Sequence, residues 1–375
     1  MNKYYPVRLL ATSKFSTDTT KCFVFVDELK KARCCIEPHS GIIVAAYPFI
    51  NAFGVHCNVH KLSDLKSLPC VKAIAPHTTV TTTMLREKSL INLTTARSSI
   101  GYGKGVGVAV IDTGVSPHLD FMIPKKRVRF VDFIGGKKRC YDDNGHGTAV
   151  ASILCGNGLV SGGTYSGVAP LCNLVALKAI GNSGEGGAFA ILEAMQWLFD
   201  NAQKYGIRVV CMSFGADPVI SGTDPLSLGA EALWKKGIVV VASAGNDGPK
   251  PSTIKSPGIN PNIITVGGAE ITLDDNGVEN VTIPDFSSRG PAGKYIKPDI
   301  VAPSVDIMAA SIDADSFYEK FTGTSMAAPI IAGAAALILA HNPQFSPDKV
   351  KETLLSMTKK LPHPQNDCGK GLFAF

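Results

Sequence analysis

The chain has no apolar run of membrane-spanning length and no block of like charge. The first twenty residues, MNKYYPVRLLATSKFSTDTT, contain no stretch that could form the apolar centre of a secretory signal, and no segment approaches a membrane span. These absences predict a cytoplasmic protein without a membrane partner. Its 37 basic and 31 acidic residues give a net charge of +6, without a like-charge run or an aromatic-interleaved basic stripe, so a nucleic-acid partner is not expected. The close cysteine pairs that hold zinc are also missing. Five of the ten cysteines precede residue 84 (Cys22, Cys34, Cys35, Cys57 and Cys70), and Cys140, Cys155, Cys172, Cys211 and Cys368 follow. Cys34 and Cys35 are adjacent and cannot easily ligate one metal together. A chain of this length in a reducing compartment needs no disulfide staples, so most of these thiols are expected free and buried. No internal repeat or low-complexity segment is evident.

A chain of 375 residues with 45% hydrophobic content can bury one large core and leave a smaller domain over. Residues 22–76 read as that smaller domain. Cys22 to Val26 and Phe53 to Val59 are strand-like, Leu62, Leu65 and Leu68 recur at helical spacing, and Val71 to Ile74 form a further short strand. This pattern suits a ferredoxin-like α+β module. The polar stretch His77 to Thr83 lacks apolar periodicity and marks a boundary, giving domains of residues 1–83 and 84–375. From Gly105 onward β-branched apolar runs (Val106 to Ile111, Leu174 to Leu177, Ile207 to Met212, Ile238 to Ala242, Ile263 to Val266) alternate with longer helical patterns. The helical patterns cover His146 to Leu154, Ala188 to Lys204, Leu228 to Lys236, Ser325 to His341 and Pro347 to Lys359. Such alternation predicts an α/β domain: a mostly parallel sheet with helices on both faces. Ligands of open α/β sheets bind beyond the carboxyl ends of strands, where Asp112 and Asn246 fall.

Three strings occur in a fixed order: Val110-Ile111-Asp112-Thr113-Gly114, Asn144-Gly145-His146-Gly147-Thr148 and Gly323-Thr324-Ser325-Met326-Ala327-Ala328-Pro329. A serine hydroxyl is too weak an acid to attack a carbonyl at neutral pH. It needs an imidazole to take its proton and a carboxylate to orient that imidazole. Each string alone has a plainer reading. Ser325 would serve as a helix N-cap, Asp112 before Thr-Gly could begin a turn, and a histidine is more often a surface or satisfied core residue, the class in which His118, His341 and His363 are placed. The three together in one α/β domain carry the stronger signal.

With these flanking residues the chain resembles the subtilisin-like serine proteases from about Ser98 to Leu372, in a layout closest to intracellular bacterial subtilases. The resemblance implies Asp112 as orienting acid, His146 as general base and Ser325 as nucleophile. Asn246, in Ala242-Ser243-Ala244-Gly245-Asn246-Asp247-Gly248, is implied as oxyanion-hole donor with the Ser325 N–H, although Asn-Asp-Gly also suits a simple turn. Two extended segments, Gly184-Glu185-Gly186 and Ser213-Phe214-Gly215, are implied to pair with a peptide substrate, and Ser243, Ala244 and Gly245 to line the pocket for the residue before the scissile bond. The small walls predict an open, mostly apolar pocket, with Asp247 as a solvated carboxylate at its rim. The family also implies a tight calcium after the histidine helix. Gly156 to Gly167 offers only Asn157 as an amide ligand, so calcium is a weak expectation, and no cofactor is required for the chemistry.

The N-terminal module corresponds in position to the family's propeptide, which assists folding and plugs the active site until cut away. The expected partners are peptide and protein substrates and the chain's own N-terminal domain as intramolecular inhibitor, with autoprocessing between about Val80 and Arg86. A catalytically silent scaffold is the alternative from another class, but all four catalytic positions are filled. An α/β-hydrolase esterase would place its serine in Gly-x-Ser-x-Gly ahead of the acid and histidine, contrary to the order here.

Overall fold

The computed structural model describes residues 19–40, 42–47, 52–76, 93–122, 128–218, 224–273, 279–313 and 316–375. The chain divides into two compact units, Met1–Thr81 and Thr82–Phe375. In the first, β1 (Thr19–Val26), a helix (Leu29–Ser40), β2 (Ile42–Tyr47), β3 (Ala52–Asn58), a short helix (Leu62–Ser67) and β4 (Val71–Pro76) follow one another. The strands form an antiparallel sheet in the order β2-β3-β1-β4. Alternation on β1 turns Cys22, Val24 and Val26 inward, and Val24 lies opposite Phe53 on β3 and Ile74 on β4. Ala32 and Ile36, one helical turn apart, close the other side of this core. The first helix and β2 escape the sequence reading because charges and the exposed pair Cys34-Cys35 break up the helix's short apolar stripe.

The second unit is built on a long sheet. Its strands are β5 (Gly107–Asp112), β6 (Val128–Asp132), β7 (Asn173–Lys178), β8 (Ile207–Met212), β9 (Val239–Ser243), β10 (Ile264–Leu273), β11 (Glu279–Thr282), β12 (Ile300–Pro303), β15 (Thr358–Lys359) and β16 (Leu372–Phe373). The order is β15-β16-β12-β10-β9-β8-β5-β7-β6, with β11 paired to β10. Every pairing is parallel except those of β11 and β15. A separate hairpin joins β13 (Ile307–Ala310) to β14 (Tyr318–Phe321). The central strands β5, β8 and β9 are buried almost throughout, which is why they read as unbroken apolar runs rather than alternating ones. Flanking helices cover the sheet, so the expected α/β architecture is found.

Boundaries shift where local chemistry decides. The helix expected from Leu228 begins at Pro225, because Asp224 accepts the Ser227 N–H at 2.8 Å and proline suits the first turn. The helix expected to reach Lys359 ends at Ser356, since Thr358 and Lys359 pair with β16. The helix Thr324–His341 corrects the expectation that no segment approaches a membrane span: among the described residues it alone is long and apolar enough, at 18 residues. It is apolar all round because it runs inside the fold, packed on β8, β9, β10 and β12, with nearly every side chain buried.

Candidate active site

Asp112 ends β5 and Ser213 follows β8. These strands are adjacent, with Ile111 in register with Met212, so the two positions meet at the carboxyl edge of the sheet. Asp112 is buried to 1% exposure, and its Oδ1 accepts both the Thr113 N–H at 2.7 Å and His146 Nδ1–H at 2.8 Å. Its Oδ2 is buried and has no hydrogen-bond partner among the described residues. His146 opens the helix His146–Cys155, preceded by Gly145 in the left-handed region at φ 103°. Gly147 explains the second glycine: a Cβ there would overlap the Gly114 carbonyl oxygen and lie 3.1 Å from Asp112 Cβ. Only glycine lets the helix approach β5 closely enough for the imidazole to reach the carboxylate.

Ser325 is the second residue of the helix Thr324–His341, and the N-cap position belongs to Gly323 at φ 147°. Pro329, four residues on, has no N–H to give the Ser325 carbonyl. The Ser213 hydroxyl takes that place, donating to Ser325 O at 3.0 Å, while the Ser325 hydroxyl donates to Ser213 O at 2.9 Å. The serine is thus brought to the strand edge beside Asp112, and its hydroxyl rests on the main chain rather than on the imidazole. Asn246 stands at the same helix end. Its Oδ1 accepts the Thr324 N–H at 3.0 Å and the Thr324 hydroxyl at 2.9 Å. A backbone N–H can only donate, so the oxygen must face the helix and the amide Nδ2–H₂ is turned away as a donor. Gly323 leaves room beside it, since a Cβ there would lie 3.3 Å from Nδ2.

Burial alone would lower the His146 pKa, but the adjacent Asp112 carboxylate and its hydrogen bond raise it above the ordinary histidine value. Sequence reasoning missed Asp142, which ties the histidine motif to the aspartate motif. Its Oδ1 accepts from the Thr113 hydroxyl (2.9 Å) and the Asn144 and Gly145 N–H groups (3.1 and 2.9 Å), and its Oδ2 from the Thr148 N–H and hydroxyl (2.9 and 2.7 Å). Burial would raise this carboxyl, but the hydrogen bonds hold it below the usual range. An Asp two residues before Asn-Gly is an Asx-turn signal that could have found it. Lys178, buried at 1% exposure in register with Asp112, was also missed. It donates to Thr113 O (2.6 Å) and Ile180 O (3.1 Å) and pairs with Asp143 at 2.7 Å.

The implied substrate segments fall around this edge. Ser213, Phe214 and Gly215 leave β8, and the Phe214 carbonyl accepts the Ser243 hydroxyl at 3.3 Å. Ser243 ends β9, and Ala244 and Gly245 follow, all three buried. Gly184, Glu185 and Gly186 lie in an exposed loop before the helix Ala188–Tyr205, turned by a Gly181 N–H to Glu185 O bond of 2.9 Å. Asn144 Nδ2 holds this loop to the histidine motif through Asn182 O at 3.0 Å. Lys255, which the sequence reading did not single out, has its side chain against Gly215 and Gly245 and pairs with Asp217 and Asp247. Asp247, expected as a solvated carboxylate, is 56% exposed and is also an ion-pair partner.

Near the end of the histidine helix, where calcium is a weak expectation, the side-chain oxygens accept hydrogen bonds from the protein. Asn157 spends its Oδ1 on the Leu159 N–H at 2.6 Å, and the carboxylate of Asp120 accepts Tyr318 OH at 2.7 Å and the Val160 N–H at 3.4 Å. Calcium needs six to eight oxygens. Six of the ten cysteines are buried as expected, including Cys155, whereas Cys34 and Cys35 are exposed. His118 is a satisfied core histidine, accepting the Asp120 N–H at 3.1 Å and lying 3.0 Å from Phe317 O.

The Subtilase family model matches residues 103–371. Serine protease AprX of Bacillus subtilis (strain 168) is 42% identical over 282 residues, 69% of this chain and 62% of that protein. Subtilisin DY of Bacillus licheniformis is 35% identical over 265 residues, 70% of this chain and 86% of that protein. Among solved structures, Sphericase has a TM-score of 0.63 at 30% identity, covering 72% of this chain and 92% of its own. S41 Psychrophilic Protease has a TM-score of 0.62 at 32% identity with the same coverages. By sequence and by fold the chain belongs to the Subtilase family and is a subtilisin-like serine protease.

Proposed function

We propose that the protein is an endopeptidase that hydrolyses peptide bonds through Asp112, His146 and Ser325. The carrying observation is the 2.8 Å bond between His146 Nδ1 and buried Asp112, at the strand edge where Ser325 is held. With Nδ1 as donor, Nε2 is the basic nitrogen. Rotation of Ser325 about χ1 releases its hydroxyl from Ser213 O toward Nε2. The Oγ then attacks the substrate carbonyl, its proton passes to His146, and a tetrahedral oxyanion forms between Asn246 Nδ2–H₂ and the Ser325 N–H. His146 returns the proton to the leaving amine as the C–N bond breaks, leaving an acyl ester on Ser325, and water repeats the sequence to release the acid. No cofactor enters these steps. Substrate main chain lies between Gly184-Glu185-Gly186 and Ser213-Phe214-Gly215, and the side chain before the scissile bond points toward Ser243, Ala244 and Gly245.

The N-terminal unit is the inhibitory prodomain of this enzyme. Its strand-helix-strand-strand-helix-strand order with sheet order β2-β3-β1-β4 supports a ferredoxin-like assignment. The cleavage segment Val80 to Arg86 lies outside the described residues, as does the whole polar connection His77 to Thr83. The intracellular-type layout and a cytoplasmic location belong to the same reading, with protein substrates and the prodomain as partners. The test is labelling by a fluorophosphonate probe, together with peptide turnover, in wild type and Ser325→Ala. Wild type should react and turn over while the variant does neither. Equal labelling of both would remove Ser325 from the nucleophile's role.

A further inference from the structure

Lys255 occupies ground that the two small-residue walls leave open. The Lys255-Ser256 backbone is clamped to both: Lys255 N–H donates to Ala244 O at 2.9 Å, and Ser256 and Ala216 exchange bonds of 2.9 and 3.0 Å. The aliphatic stem fills the space on the Cβ side of each wall glycine. A Cβ on Gly215 would fall 2.6 Å from Lys255 Cβ, and one on Gly245 would fall 2.5 Å from Lys255 Cγ. The ammonium is paired with both Asp217 and Asp247. The lysine side chain is only 18% exposed, whereas the carboxylates are 88% and 56% exposed. The stem is therefore held inside and the carboxylates stand at the mouth.

We propose that Lys255 is a built-in occupant of the pocket for the residue before the scissile bond, making the enzyme select small or medium uncharged side chains there. This rests on the assignment of residues 213–215 and 243–245 as pocket walls. The stem shortens the pocket, so a large aromatic side chain meets it before it can be seated. The charges act by a separate route. One ammonium faces two carboxylates, so the local excess is negative and an acidic substrate side chain is repelled. A basic side chain would need those same carboxylates, and Lys255 already holds them. Lys255 thus stands where a substrate lysine or arginine would otherwise bind.

The size and charge effects separate in two variants, Lys255→Ala and Lys255→Met. The full chain and both variants are assayed for kcat/KM on peptides differing only in the residue before the scissile bond (Ala, Leu, Phe, Glu, Arg), normalised to sites titrated by a fluorophosphonate. Wild type should prefer Ala and Leu. In Lys255→Ala, the Phe and Arg substrates should each gain about tenfold relative to Ala, as space and two carboxylates are released. In Lys255→Met only Arg should gain, because the stem volume remains. A wild-type preference for Glu that is lost in Lys255→Ala would overturn the proposal by making the ammonium a recognition cation. Unchanged ratios in both variants would overturn it by placing Lys255 outside the pocket. Titratable sites without turnover of any peptide would refute the endopeptidase reading itself.

Discussion

Ser213 and Ser325 hold each other by exchange: each hydroxyl donates to the other's main-chain carbonyl, at 3.0 and 2.9 Å. The exchange exists because Pro329 deprives the Ser325 carbonyl of its helical partner. Ser213→Ala would leave that carbonyl without its donor and is expected to lower stability by about 1–3 kcal/mol in urea unfolding. Adding Pro329→Ala supplies an N–H at the right spacing, so the double variant should lose less than the sum of the single changes. Strict additivity would show that the two groups do not share this carbonyl.

Ser325→Ala and His146→Ala should each reduce peptidase turnover by several orders of magnitude, and the double variant should be little worse than either, because nucleophile and base act as one unit. Active-site-titrated kinetics on one peptide decide this, and multiplicative losses would contradict it.

Asn246→Ala removes the proposed oxyanion donor but also the acceptor that caps the Thr324 N–H. Turnover should fall roughly 100- to 1000-fold, the loss known for the corresponding subtilisin donor, with little change in KM. A modest fall in Tm should accompany it, from loss of the cap. Raised KM with normal kcat would remove Asn246 from the oxyanion hole.

In the proposed mechanism the base is the neutral imidazole of His146, so activity should fall as pH drops through the His146 pKa. Asp112 raises that value, so the acid limb of kcat/KM should have its inflection above the ordinary 6.5. In Asp112→Asn the raising carboxylate is gone while burial remains. The inflection of the residual activity should move down and turnover should fall by roughly 10⁴-fold. An inflection unmoved by this change would show that another group sets the limb.

Asp142 gives an acid-stability test. Its folded-state pKa lies below the ordinary 3.8, so it contributes stability that is fully present above that value and is lost as pH falls through the lower folded one. Asp142→Asn should be less stable than wild type at pH 7, and the gap should narrow in strong acid. Chemical unfolding of both proteins at the two pH values measures it, and a constant gap would argue that the carboxylate charge is not what matters.

The sequence by itself determined the architecture of the larger unit, because its central strands are buried on both faces and appear as unbroken apolar runs such as Val239 to Ala242. It also singled out Asp112, His146 and Ser325, since each lies in a short glycine-flanked string that is legible by itself. The tertiary structure alone decided what depends on partners distant in sequence. The Thr113 hydroxyl that ties Asp142 to the aspartate motif and the approach of Gly147 to Gly114 exist only in the folded chain, Lys178 is legible only from the pairing of β5 with β7, and the first unit's helix is fixed by a core its own sparse stripe barely announces. Lys255 is the clearest case. In the sequence it is one cation among 37, and its stem lies against Gly215 and Gly245 because β8 and β9 lie side by side and send these two residues without side chains toward it.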